Sequence, residues 1–225
     1  LPMVSGTGEA PCAVLAYESD NLPKDYLGDL LVTSWGDHRL ERYTLKAQGA
    51  SFTATMTPVL RGDQNFRPVG LALAPDGSLF VADFYDQRTA HPDPDANWDR
   101  SNGRFYKISS DVATPSKTIN IPTLSTDELI DLLTHTNHWY AYRARIELAH
   151  RRDPSANVRL RTMVGQAVPD TSNRRPLEAL WALHAAGGFD DALALKLLKH
   201  PATYVRNWTV RFIGDQKVAS NDVSK

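Results

Sequence analysis

The sequence predicts a multidomain β + α chain, a partial β-propeller over residues 1–122 followed by an α-α solenoid over residues 123–225. The prediction rests on a hairpin, on its upstream copy and on a change of hydrophobic period. The hairpin is Phe66–Asp86, FRPVGLALAPDGSLFVADFYD, where apolar runs at Val69–Ala74 and Leu79–Ala82 flank Pro75-Asp76-Gly77. Proline presets φ, aspartate bonds its own backbone and glycine accepts positive φ, so a tight turn forms readily there. One hairpin is not stable alone in water. Its copy begins at Ala10, where APCAVLAY aligns with RPVGLALA at Arg67 and Pro11 falls under Pro68. Gly28–Trp35 then aligns with Gly77–Phe84, and Arg39–Tyr43 with Arg104–Ile108. Strand, turn, strand, loop, strand in each copy suits propeller blades of about four strands, and the chain holds about two such units. From Ser125 onward apolar residues recur at helical spacing instead.

Leu1–Glu9 is a Gly/Ser/Thr segment without periodicity and reads as a connection. Strands are expected at Ala10–Tyr17, Asp29–Trp35 and Arg39–Leu45, with Gly36-Asp37 as the turn between the last two. Ala50–Leu60, carrying Phe52, Thr53 and Thr55, is expected as the outer strand of the first blade. The second blade has strands at Val69–Ala74, Leu79–Ala82 and Gly103–Ser109, interrupted by the long polar loop Tyr85–Asn102. Beyond Pro122, Ser125 with Glu128 is a capping-box signature. Helices are expected at Thr126–Thr134, His138–Arg151, Ser155–Ala167, Arg175–Ala186, Asp190–Lys199 and Thr203–Gly214. Leu132-Leu133-Thr134-His135 with Trp139 repeats as Leu197-Leu198-Lys199-His200 with Tyr204, two helical pairs later. Stacked helix pairs that bury one another's faces produce such a repeat.

Lys and Arg number 25 against 26 Asp and Glu, which leaves no electrostatic footprint for nucleic acid or an anionic membrane. No apolar run reaches the ~18 residues of a membrane span, and the Leu1 end shows no basic region or signal core. Cys12 is the only cysteine, which excludes an intrachain disulfide, CxxC, the haem-attachment CxxCH and a multi-cysteine zinc site. In its apolar strand it is expected to be buried and inert. No Ser-His-Asp order, GxSxG, GxGxxG, P-loop or HExxH occurs, which argues against hydrolase, Rossmann and kinase-like chemistry.

RPVGLALAPDGSLFVADFYD, NWDRSNGRFYKI, NHWYAYRARIELAHRRD and ALWALHAAGGFDDALALKLLKHPATYVRNWTVRFIGD, in this order, resemble the planctomycete-type membrane-bound dehydrogenase family. The likeness spans nearly the whole chain. It implies a propeller like that of sugar and sorbosone dehydrogenases, with pyrroloquinoline quinone as cofactor. HEAT-like repeats follow the propeller in that family, often with a c-type haem domain. The implied reaction is oxidation of a sugar or sugar aldehyde, with electrons passed to a cytochrome c, in a periplasmic or secreted location. The chain departs from the family in two ways. It shows two blade units where closure takes about four or more, and CxxCH is missing. It is therefore expected to be the C-terminal portion of such a propeller with its helical repeats, its blade edges covered by the remaining blades or another chain. The histidine that active members use as general base belongs to an early blade, so no residue here is assigned to catalysis.

In a propeller the innermost strand starts at the channel mouth, where the loops from second to third strands also gather. That geometry puts Arg67, Trp35–His38, Asp83 and the Tyr85–Asn102 loop on one rim. Arg67, Asp83 and Trp98 are the candidate cofactor-binding residues. Arg67 offers a fixed fork of donors for a carboxylated quinone or a sugar hydroxyl pair. Asp83 would accept from the ligand or from Arg67, and Trp98 would stack on a flat ring. The structural alternative is that Arg67 and Asp83 pair with each other or bond backbone between blades. Asp93, Asp95 and Asp99 offer oxygens for calcium, but the loop lacks the full DxDxDG spacing with its closing Glu. A solvated, Pro-stiffened loop is the plainer reading, and no metal ligand is assigned. His38 and His91, without a partner at fixed spacing, read as surface histidines.

In the helices, Trp139, Trp181 and Trp208 fall on apolar stripes and read as core. Arg143, Arg145, Arg151 and Arg152 read as a solvated basic face with acidic partners such as Glu147, a phosphate or peptide groove being the minority view. The rival to the dehydrogenase function is a non-catalytic propeller and helical scaffold for protein-protein interaction, because fold alone does not settle function.

Overall fold

The computed structural model describes residues 10–49, 51–86, 101–112, 118–166 and 174–216. These residues form two antiparallel sheets and six α-helices. The chain divides into two compact units, Leu1–Thr118 and Ile119–Lys225. The division falls ahead of the expected boundary after Pro122, because Ile119 and Ile121 pack into the helical core.

In the first unit β1 (Pro11–Ala16), β2 (Leu30–Ser34), β3 (Arg39–Gln48) and β4 (Ser51–Arg61) form one sheet in that order. β5 (Pro68–Leu73), β6 (Leu79–Asp83) and β7 (Arg104–Ile108) form the second. β4 is a strand as expected of Ala50–Leu60 and lies at one edge of its sheet. The sequence copy is also a copy of backbone bonding. Pro11 opposes Ser34 and Pro68 opposes Asp83, and the register slips just after each proline. A proline has no N–H for the ladder and is tolerated in a strand where the ladder is interrupted, as at a bulge. Trp35 N–H donates to the Ala10 carbonyl at 3.1 Å, and Phe84 N–H to the Arg67 carbonyl at 2.9 Å. At the other end of each hairpin, Gly28 N–H donates to the Tyr17 carbonyl and Gly77 N–H to the Ala74 carbonyl. Those glycines sit at φ +87° and +79°, where any Cβ is strained.

The two sheets pack through β5 against β1 and β2, burying Leu31, Leu40, Leu79 and Val81 between them with Leu71 and Leu73 alongside. Tyr17 ties this interface together. Its buried hydroxyl accepts from Asn21 N–H at 3.0 Å and Leu22 N–H at 2.7 Å and donates to the Gly77 carbonyl at 3.1 Å. Burial pushes its phenol up from the ordinary value. Asp76 braces the β5–β6 turn. Its Oδ1 accepts from the Ser78 N–H and hydroxyl, and its Oδ2 pairs with Lys107 at 2.6 Å.

Cys12 corrects an expectation, because it is exposed. β1 turns Ala13 and Leu15 inward and leaves Cys12 and Val14 outside. An unbroken apolar run does not state which parity faces the core.

The second unit comprises α1 (Thr126–Leu132), α2 (His138–Arg151), α3 (Ala156–Val164), α4 (Arg175–Ala185), α5 (Asp191–Leu197) and α6 (Thr203–Asp215). α1 packs on α2 and α3, α4 on α2, α3 and α6, and α5 on α6. One stripe of each helix meets in a core that includes Leu129, Leu133, Leu148, Leu180 and Leu183. The expected capping box is present: Ser125 Oγ accepts from Glu128 N–H at 3.3 Å, and the Glu128 carboxylate accepts from Ser125 N–H at 2.8 Å. Asn137 and Asp190 cap α2 and α5 in the same spirit. The repeat in the sequence is again a repeat in bonding. His135 Nδ1 accepts from Asn137 N–H at 3.0 Å, and His200 Nδ1 from Ala202 N–H at 3.1 Å, each in the turn between paired helices.

Tyr17→Phe leaves two buried N–H groups without their acceptor, and a loss of ~2–4 kcal/mol is expected in urea unfolding. A midpoint unchanged from wild type would show that the hydroxyl is not the tie. A second expectation concerns acid. Lys107 first, then Ser78, hold the Asp76 carboxyl down at about 2 against its ordinary 3.8. A carboxyl depressed by folding stabilises above its unfolded value and stops doing so as pH falls through the folded one. The stability of wild type should therefore fall more steeply than that of Asp76→Asn between pH ~4 and ~2, as read by denaturant midpoints at each pH. Parallel curves would remove Asp76 from the account.

Candidate functional site

The bulge after Pro68 sets the site. Asp83, opposite Pro68, sends Oδ1 to the Arg67 N–H and the Tyr85 N–H, each at 2.8 Å. With its backbone pinned in this way, Arg67 is 2 % exposed and Asp83 4 %. The guanidinium lies against the turn that follows β2. Its Nη1 contacts both nitrogens of the His38 ring, Nε2 at 3.1 Å, and the Phe66 carbonyl at 3.4 Å. Its Cζ stands 5.6 Å from the Trp35 ring centroid. His38 Nδ1 is 3.1 Å from the Phe66 carbonyl. Which ring nitrogen carries the proton decides which of these contacts are hydrogen bonds. His38 itself holds a left-handed φ of +57°, and its carbonyl accepts from Gly62 N–H at 2.9 Å.

Among the described residues, three buried polar atoms in this region find no hydrogen-bond partner: Arg67 Nε, Asp83 Oδ2 and Asn65 Oδ1. The guanidinium and the Asp83 carboxylate do not pair. Asp83 instead bonds the Arg67 backbone, within one sheet, and the guanidinium turns to Trp35 and His38. Burial pushes the Arg67 guanidinium down from its ordinary value, and Asp86, Asp83 and Asp63 oppose that from a distance. Among the described residues no carboxylate comes within ion-pair distance of it. Close by, Leu60, Gly62, Asp63, Phe66, Tyr85 and Tyr106 line a cleft of about 170 Å³. Asp63 Oδ1 fixes one wall by accepting from Asn65 and Phe66 N–H at 2.9 and 3.1 Å. Burial, with the Asp83 charge next, pushes the Tyr106 phenol up.

Of the candidate residues, Arg67 and Asp83 adjoin, and Trp35 and His38 meet the guanidinium. Trp98 lies outside the described residues, as do Asp93, Asp95, Asp99 and His91. Among the described residues no group of three His, Cys, Asp or Glu side chains converges as a metal site would require. Sequence reasoning misses Asn65, Phe66 and Tyr106, and only the Asp63-x-Asn65 turn chemistry signals any of them. The internal repeat isolates what is particular here. Ala10 stands where Arg67 does, and Ser34 where Asp83 does, on the same backbone bonds. The sheet therefore does not need a cation at this position.

Residues 4–111 match DUF7133, a domain of unknown function. The match lies within the first unit and leaves the helices out. No curated protein and no solved structure matches the chain.

A buried guanidinium with an N–H that meets no acceptor among the described residues has the chemistry to bind a carboxylate or another oxyanion. Its cost to the fold is testable. A buried charge costs several kcal/mol of desolvation, a cost that an apolar side chain of similar length does not incur. Arg67→Met is expected to leave the urea midpoint unchanged or raise it. A loss of ~3 kcal/mol or more would instead make the guanidinium a structural tie.

Proposed function

We propose that the first unit is two neighbouring blades of a β-propeller, that the second is a HEAT-like α-α solenoid, and that Arg67 binds an oxyanion on the propeller rim. In this reading the protein is related to quinone-dependent sugar dehydrogenases and works outside the cytoplasm. It oxidises a sugar or sugar aldehyde and hands the electrons to a cytochrome. The repeated hairpin with its repeated bulge supports the blade reading, since propellers are built by such repetition. The paired helices with matching caps at His135 and His200 support the solenoid reading in the same way.

The observation that carries the functional part is the buried Arg67 guanidinium, without a carboxylate partner among the described residues, at a position where the companion blade has alanine. Pyrroloquinoline quinone bears carboxylates, and Arg67 Nε is the kind of donor that one of them needs. When bound, the quinone accepts the two electrons and protons that leave the sugar. The residues of this chain contribute binding: Arg67 as the anion receptor, Trp35 and His38 as its lateral walls, and Asp83 as the brace that fixes the Arg67 backbone. No residue of this chain is assigned to calcium or to proton abstraction.

The test is reconstitution of the full-length protein with pyrroloquinoline quinone and calcium, followed by dye-linked oxidation of a panel of aldoses. Quinone uptake and turnover are expected. A charge-assisted hydrogen bond is worth ~1.5–3 kcal/mol, so Arg67→Met should weaken quinone binding about 10- to 100-fold. Absence of both uptake and turnover in the wild type would overturn the enzyme reading. The second reading, a scaffold that binds other proteins, is favoured by an aromatic groove on the helical unit.

A further inference from the structure

On the helical unit, α2, α4 and α6 lie side by side, α4 packing on both of the others. Their shared surface holds a groove of about 490 Å³ lined by Tyr142, Arg145, Ile146 and Ala149 of α2, Trp181 and Ala185 of α4, and Trp208 of α6. Trp181 and Trp208 were expected in the core. They pack against its edge and are only partly buried, meeting edge to face with centroids 5.1 Å apart. α2 thereby has two apolar faces. Tyr140, Ala144 and Leu148 are buried against its neighbours, while Tyr142, Ile146 and Ala149 face the groove. Tyr142 is 55 % exposed. Concave surfaces of this composition, rich in Trp, Tyr and Arg with small residues between, are the composition of binding hot spots.

Arginines frame the groove. The Arg145 guanidinium lies 4.9 Å from the Trp181 ring, and Arg211 lies 5.7 Å from the Trp208 ring. Arg145 also pairs with the buried Glu178 carboxylate, which fixes its position at the groove wall. The imbalance extends over the whole layer. α2, α4 and α6 carry Arg143, Arg145, Arg151, Arg175, Arg206 and Arg211 against Glu147, Glu178 and Asp215. On the other helices the balance reverses: Arg159, Arg161 and Lys196 stand against Asp127, Glu128, Asp131 and Asp191. The chain as a whole is almost neutral, whereas the helices that hold the groove carry an excess of positive charge, although Arg145, Arg151 and Arg211 each pair with one of their acids.

We propose that this groove docks an acidic peptide segment of another protein, with one large apolar side chain of that segment seated between Tyr142, Trp181 and Trp208. The apolar side chain supplies the buried contact, and the acidic flanks meet the guanidinium frame, which steers the encounter and sets specificity. The proposal rests on the scaffold reading above, and it narrows that reading to one surface and one class of partner.

The experiment uses the full chain and fluorescein-labelled synthetic peptides. The probe is a ten-residue segment with one central Phe or Leu flanked by Glu and Asp. Its controls replace the acids by Lys, replace them by Ser, or replace the central residue by Gly. The acidic apolar peptide should bind by fluorescence anisotropy, and both raised salt and Arg211→Glu should weaken it. Tyr142→Ala, an exposed position whose change leaves the core intact, should weaken it about 10-fold, and Trp208→Ala should do at least as much. Equal binding of the Ser and acidic peptides, or equal binding by wild type and both aromatic variants, would overturn the proposal. A concentration-dependent dimer in sedimentation that Tyr142→Ala dissolves would assign the groove to a second copy and overturn it as well. Should the peptides fail while the immobilised full chain still takes up a defined partner through another surface, the scaffold reading survives without this groove. If neither occurs, both fall.

Discussion

The bulge that follows Pro68, with Asp83 fastening the amides beside it, is the constraint on which the site in the first unit depends. That site carries a guanidinium withdrawn from water with no carboxylate beside it among the described residues, which is costly to hold by several kcal/mol before local compensation. The Pro68 bulge lifts the strand out of register, Asp83 fastens the Arg67 and Tyr85 amides, and the turn after β2 brings His38 and Trp35 against the side chain. Compensation is partial, since Nε meets no acceptor among the described residues. Natural chains tolerate such an imperfection where it serves binding, because interactions left unmade in the free protein can be made with a ligand.

Much of this was legible in the sequence, for physical reasons that differ by element. The turn at Pro75-Asp76-Gly77 is local chemistry and needed no tertiary information. The Pro11/Pro68 alignment anticipated a shared backbone device, because proline's missing N–H acts the same way wherever it falls in a ladder. Ser125 with Glu128 likewise encodes its own cap. What could not be read were outcomes decided between distant segments. Whether Arg67 would face Asp83 or His38 depends on the turn after β2, 29 residues upstream. Cys12 was misjudged because strand parity is set by the partner sheet, and nothing in a uniformly apolar run marks the inward side.

The helical unit shows a similar boundary of legibility. Spacing of three and four residues located its helices nearly to their ends, since one apolar stripe per helix is what the core demands. Trp181 and Trp208 lie on those stripes, but the core takes only part of each ring. An indole wide enough to reach the core and still present an edge outside it cannot be assigned from spacing. Charge gave no warning either, because a balance struck over the whole chain conceals its uneven division between two helix layers.

The repeated bulge has a consequence for how such a protein can change. Each proline step delivers the residue before it to an equivalent backbone station, and the two stations seen here hold alanine and arginine. The station is indifferent to its occupant, since the bonds that define it are main-chain bonds from Trp35 to Ala10 and from Phe84 to Arg67. A single codon change at one station can therefore install or erase a charged group without remodelling the sheet. New ligand preferences can arise by editing those addresses one at a time while the architecture stays constant.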